Sequence, residues 1–148
     1  MSETIKIIKT IKTNCYGVIV LDLENKKTIL VKTHNGYLSF PKGKYEKKKD
    51  KSYFDCALRE LEEETGIDKN SIQINTDMIF DEINSLTGNI PIKYYVGFVK
   101  KYVQIPIKFN SEELESVNWY DFDKILELDG LKDQRKILFT NIRNHYKI

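Results

Sequence analysis

Residues 52–67 read SYFDCALRELEEETGI. Ser52 followed three residues later by Asp55 is a variant of the capping box that opens helices, and Gly66 suits the left-handed position that closes them. Between these ends, Phe54, Ala57, Leu58 and Leu61 share one arc at about 100° per residue, so the segment predicts an amphipathic helix. Glu60, Glu63 and Glu64 share a second arc, and Glu62 points away from both. Arg59 stands one turn before Glu63 and is spaced to hold that carboxylate in one orientation. Each close pair of like charges costs a few tenths of a kcal/mol, and the helix dipole disfavours anions in this C-terminal half. A hard divalent cation relieves the conflict, because Mg²⁺ takes carboxylate oxygens together with substrate phosphates. A solvated acidic helix face is the other reading of the same spacing.

The loop before this helix carries the opposite charge. Residues 34–51 hold Asn35-Gly36, Pro41 and Gly43, a loop composition. Within it, residues 42–51 (KGKYEKKKDK) set six Lys against Glu46 and Asp50, a local +4, whereas residues 59–64 (RELEEE) sum to −3. The 148-residue chain as a whole balances 24 Lys+Arg against 22 Asp+Glu, for a net charge of +2. Such a balance excludes a strongly basic nucleic-acid arm and gives no reason to expect a DNA partner.

Further out, the chain alternates strands and helices. Tyr16–Leu23 and Thr28–Thr33 flank the turn signal at residues 24–27 and read as a hairpin of buried strands. Ile5, Ile7 and Ile11 suggest a half-buried strand at the start. Ile72–Ile74, Met78–Ile83, Ile92–Val103 and a short Val117–Tyr120 read as further strands. Asp121–Leu128 and Lys132–Lys147 read as helices separated by Asp129-Gly130. No repeat or low-complexity linker divides residues 1–148, so one mixed α/β domain is expected. Cys15 and Cys56 lack CxxC or His/Cys spacing, which excludes a zinc ribbon or disulfide scaffold and suits reduced core thiols. His34 and His145 are too isolated for a His-based metal site, so any metal would be held by oxygen. No signal-peptide core and no run of about 18 apolar residues is present, so the expectation is a soluble cytoplasmic protein without a membrane partner.

Gly43 together with Arg59-Glu60-Leu61-x-Glu63-Glu64-x-Gly66-Ile67 resembles the Nudix box, and Phe40-Pro41-Lys42-Gly43-Lys44 resembles the loop that leads into it. The half written REUxEExGU, with U aliphatic, matches at every defined position, and the whole motif covers about 25 residues. In one respect the chain departs from the pattern. The interval from Gly43 to Arg59 is two residues longer than the family's, and the first Glu is absent, Lys49 or Lys51 falling where it belongs. Asp50 or Glu46 offers a replacement carboxylate from the lengthened turn.

The resemblance implies an α/β/α sandwich with a mixed sheet and a catalytic loop-helix-loop. It implies hydrolysis of a nucleoside diphosphate linked to another group. Glu60, Glu63 and Glu64 would hold Mg²⁺ or Mn²⁺, with Arg59, Glu63 and Glu64 in the catalytic set. The general base would be a box Glu or a later Glu. Glu113, six residues before Trp119, is the leading later candidate and Glu112 the second. Lys42 and Lys44 are candidate phosphate contacts. Tyr37, Tyr94 and Tyr95 are candidate base-stacking aromatics; the last two are adjacent on a strand and so face opposite ways.

FPKGK most resembles the loops of dinucleoside polyphosphate hydrolases and of mRNA-decapping Nudix domains, and Phe54–Glu60 (FDCALRE) also resembles decapping members. With 148 residues leaving no room for an extra RNA-gripping region, a dinucleoside polyphosphate is the expected substrate. Capped RNA is the alternative, gripped by the Lys-rich loop and by Lys132, Arg135, Lys136, Arg143 and Lys147. A module that binds nucleotide or RNA without catalysis is a third possibility.

Overall fold

The computed structural model describes residues 12–100 and 107–148. Its centre is a hairpin of β1 (Cys15–Asp22) and β2 (Lys27–Thr33), as the hydrophobic runs predict. β1 also pairs in parallel with β7 (Ile92–Val99), in register from Cys15↔Ile92 to Leu21↔Phe98. Among the described residues every other strand pairing is antiparallel, so the sheet is mixed. The short strands β3 (Leu38–Ser39), β5 (Ile72–Ile74) and β6 (Phe80–Glu82) and the long β8 (Leu114–Asp121) extend it.

A helix covers each face. α1 (Tyr53–Thr65) packs Cys56, Ala57 and Leu61 against Tyr16, Val18 and Val20 of β1 and Tyr95 of β7. α2 (Asp133–Tyr146) packs Leu138, Phe139 and Ile142 against Ile19 and Leu21 of β1 and Tyr94 and Val96 of β7. Because successive strand residues point to opposite faces, one continuous apolar run serves both cores. The α/β/α layering is thus built on β1 and β7, and its two apolar cores are the main favourable term in folding.

α1 has the ends that its sequence predicts. The Ser52 side chain accepts from the Asp55 N–H at 3.1 Å, and Gly66 sits at φ 78°, its N–H donating to Glu62 O at 2.8 Å.

Other expectations need correction. The segment 34–51 is not all loop, since β3 and β4 (Lys42–Lys44) form within it. Two- and three-residue strands carry no alternation to detect; β4 exists because β1 offers Cys15, Tyr16 and Gly17 as partners to Lys44, Gly43 and Lys42. β8 runs well beyond Val117–Tyr120 because all of β2 is available to pair with it. Residues 122–127 form a 3₁₀ helix rather than an α-helix. The predicted strand through Ile5, Ile7 and Ile11, and the end of the one reaching Val103, lie outside the described residues.

Candidate active site

The acidic face of α1 meets β4 beside the first residues of β1. Gly17 lets β4 close in, for a Cβ there would strike Pro41 O and the Lys42 side chain. Val18 N–H in turn donates to Pro41 O at 3.1 Å. On the far side of β4, a Cβ on Gly43 would fall on the Glu60 carboxylate. Glycine is therefore required at residue 43 for Glu60 to lie against the strand. One residue earlier, the Lys42 N–H donates to Glu64 Oε1 at 2.8 Å. Loop and helix are joined directly at these two points.

Arg59 organises the remaining carboxylates. Its Nε donates to Asp50 Oδ1 at 2.7 Å and its Nη2 to Asp50 Oδ2 at 2.9 Å, a two-pronged pairing. Nη1 reaches Glu60 Oε1 at 2.9 Å and both Glu63 oxygens at 3.2 Å, and Nη2 also donates to Lys44 O at 3.0 Å. Asp50 additionally accepts the Glu46 N–H at 2.9 Å, so its charge is saturated with donors. The Arg59 guanidinium holds this carboxyl down at about 2.

The cluster residues differ in environment. Burial pushes the Glu64 carboxyl up to about 7; the Lys42 N–H and charge oppose the rise, and Glu60 and Glu113 add to it. Glu60 is also raised, first by burial and then, against the pull of Arg59, by Glu63. Glu63 is exposed. Among the described residues, no three His, Cys, Asp or Glu side chains converge as a ready-made metal cage. Glu60 and Glu63 instead share the Arg59 guanidinium, and Glu64 faces the β4 amide. The available donors are all carboxylate oxygens, two of them from half-buried groups whose carboxyls burial raises. That donor chemistry fits a hard divalent cation, with Glu60, Glu63 and Glu64 as the residues to hold it.

Glu112 and Glu113 lie in an exposed turn just before β8. The His34 Nε2–H donates to Ser111 O at 3.0 Å, tying this turn to the loop before β3. Lys42 lines a cavity of about 240 Å³ with Thr33, Asn35, Tyr37, Lys132 and Arg135. Tyr37 is 52% exposed there, with the Lys132 ammonium 5.5 Å from its ring centroid. Beneath, Arg135 Nε donates to the buried Glu82 carboxylate at 3.1 Å and its Nη1 to Leu38 O at 2.8 Å.

Lys44 is exposed on the last residue of β4. Tyr94 and Tyr95, by contrast, are core residues. Tyr94 is 0% exposed, edge-on to Phe40, with its hydroxyl donating to Glu82 at 3.4 Å. Tyr95 is 6% exposed and packs edge-on to Phe54. Neither presents a face to a base, because β7 is covered on both sides. Lys132 and Arg135 belong to the cavity by position, whereas the sequence marks them only as part of a basic helix. No local signal links residue 37 to residue 132; they meet because Leu38 N–H donates to Gly130 O at 2.9 Å and Leu38 bridges Leu131, just before α2 begins.

Residues 13–140 match the NUDIX domain family. The chain is 33% identical over 113 residues to the mRNA-decapping enzyme subunit 2 of Saccharomyces cerevisiae, covering 74% of this chain and 11% of that protein. It is 30% identical over 129 residues to the mRNA decapping complex subunit 2 of Schizosaccharomyces pombe, covering 84% of this chain and 16% of that one. The chain thus spans under a fifth of the length of these relatives. Among solved structures, a C. elegans Ap4A hydrolase binary complex superposes with a TM-score of 0.71 at 16% identity, over 90% of this chain and 98% of that one. The NUDIX domain of Shewanella oneidensis NrtR, complexed with ADP ribose, superposes with a TM-score of 0.69 at 16% identity, over 98% and 97%.

Proposed function

The chain belongs to the NUDIX family, and on that premise we propose that it is a divalent-cation-dependent phosphoanhydride hydrolase. It cleaves the polyphosphate bridge between two nucleosides, with the 5′ cap of RNA as the leading substrate. The observation that carries the reading is the join between Lys42 and Glu64, which sets a cationic loop against the acidic helix face at 2.8 Å. A phosphate chain and its accompanying cation are what such a junction accommodates. The likeness to decapping enzymes supports the capped-RNA reading, whereas the near-neutral charge favours a free dinucleoside polyphosphate.

A cation bound here, Mg²⁺ or Mn²⁺, supplies neutralisation of the diphosphate and polarisation of a water. Glu60, Glu63 and Glu64 hold it, and Arg59 keeps Glu60 and Glu63 oriented. Lys42 and Lys44 bind phosphate oxygens. Tyr37 stacks a base in the adjoining cavity, where Lys132 faces the same ring. Glu113 accepts the proton of the attacking water at its carboxylate; Glu112 and the box glutamates are the other candidates.

The test is a hydrolysis panel of capped RNA, dinucleoside tetraphosphate, nucleotide sugars and nucleoside triphosphates, with and without Mg²⁺. Cation-dependent release of a nucleoside diphosphate from capped RNA, faster than from the tetraphosphate, is the expected result. Faster cleavage of the tetraphosphate moves the assignment to dinucleoside polyphosphates. Binding without release of any phosphate product overturns the enzymatic reading in favour of a binding module.

A further inference from the structure

A second aromatic feature lies at the other end of α1. Tyr53, its first residue, is 54% exposed although it is stacked on the buried Tyr16 ring at 4.4 Å and 10°. Tyr45 braces it edge-on at 5.0 Å and 70°. One face of Tyr53 is thus covered by a rigid neighbour, and the ring still presents half its surface to solvent.

The ring is also placed on a line with the acidic cluster. Tyr53, Glu60 and Glu64 are spaced i, i+7 and i+11, within about 20° of one stripe of the helix. Along the axis Glu60 lies about 10 Å away and Glu64 about 17 Å. β4 and the residues after it run beside this stripe in the opposite direction. Lys42 meets Glu64, Gly43 O accepts from the Cys56 thiol at 3.7 Å, and Tyr45 meets Tyr53.

The turn that follows is closed on itself. The Tyr45 hydroxyl donates to Asp50 O at 3.4 Å, the Asp50 N–H to Glu46 O at 2.8 Å, and the Glu46 N–H to Asp50 Oδ2 at 2.9 Å. Lys47, Lys48 and Lys51 are exposed on it. Lys49 is paired with Glu46 at 3.1 Å. Tyr45 therefore fastens a cationic turn to the aromatic platform.

An exposed ring with a supported back, flanked by lysines and continuous with a phosphate-binding site, has the make-up of a single-stranded nucleic-acid platform. We infer that the Tyr53 ring and the 45–51 turn receive the RNA chain extending beyond the scissile phosphates, with one base stacked on Tyr53 and the backbone passing the lysines. The inference rests on the capped-RNA reading for its place in catalysis, but the binding it describes is measurable without catalysis.

The test measures binding of an uncapped single-stranded RNA of about 12 nucleotides by fluorescence anisotropy. Tyr53→Leu, which still covers Tyr16, should weaken binding about tenfold, and Tyr53→Trp should retain it. Changing Lys47, Lys48 and Lys51 to Glu should reduce the slope of log K against log salt by about 2, as for three lost phosphate contacts. Equal affinity of Tyr53→Leu and wild type overturns the inference, as does equal competition by a blunt duplex, whose interior bases are stacked on both faces. Capped RNA of that length should show a raised KM with Tyr53→Leu, whereas the cap with a single nucleotide should not. Hydrolysis of capped RNA that is insensitive to Tyr53 at every length overturns the inference and leaves the proposed function standing. Tyr53-dependent RNA binding without cap hydrolysis supports the inference and overturns the function.

Discussion

Arg59 and Asp50 form a buried two-pronged pair, Nε to Oδ1 at 2.7 Å and Nη2 to Oδ2 at 2.9 Å, with the Asp50 side chain only 1% exposed. This pair answers the departure in the box. The lengthened turn delivers a carboxylate to Arg59 from residue 50, where the family's spacing would put it elsewhere. Arg59 then has Nη1 left for Glu60 and Glu63.

Removing Asp50 should therefore cost both stability and activity. Asp50→Ala leaves a part-buried guanidinium without its main partner, at a cost of about 3 kcal/mol. Chemical denaturation checks the first effect and steady-state kinetics the second. Asp50→Ala with wild-type values of both would show that Glu46 suffices.

The same pair sets an acid limit. The Asp50 pKa is held at about 2, below the unfolded value near 4, so its stabilisation is fully present above pH 4. It should be lost as pH falls from about 4 to about 2, amounting to about 2 kcal/mol. Unfolding free energy measured across that window should fall less steeply in Asp50→Asn than in wild type.

Glu63→Gln and Glu64→Gln should each lower kcat by at least about 10²-fold, through lost cation positioning. Chelation should abolish wild-type turnover, and added Mg²⁺ should restore it. Near wild-type turnover in either variant would sink the assignment of these residues as cation ligands.

Gly43→Ala tests the close approach of β4 to α1. The added Cβ displaces the Glu60 carboxylate or pushes the strand away. A Mg²⁺ titration of activity should move to higher concentration, with little change in the helix content seen by circular dichroism.

Tyr94→Phe and Tyr37→Ala should separate core from cavity. Losing the Tyr94 hydroxyl removes a buried hydrogen bond to Glu82, about 1 kcal/mol of stability, and should leave KM unchanged. Losing the exposed Tyr37 ring should leave stability unchanged and raise KM severalfold, and Lys132→Ala should do the same. A raised KM for Tyr94→Phe alone would return that residue to the site.

The local signals in the sequence were sufficient for α1, its Ser52 and Gly66 ends and its acidic stripe, because caps and helical periodicity act within a few residues. They were equally sufficient for the hairpin of β1 and β2, where long apolar runs flank a turn. The two-residue β3 and three-residue β4 were not legible, since they owe their existence to partners elsewhere in the chain. Nor could spacing assign Tyr94 and Tyr95, because a strand covered on both faces buries successive residues alike. Local signals thus suffice for the acidic helix and for the cationic charge of the stretch before it. Tertiary structure alone decided that Asp50 pairs with Arg59, that Lys132 faces Tyr37, and that both tyrosines of β7 belong to the cores. The reason is range. Capping and periodicity are properties of neighbours, whereas a carboxylate's partner or a ring's exposure depends on which distant segment folds against it.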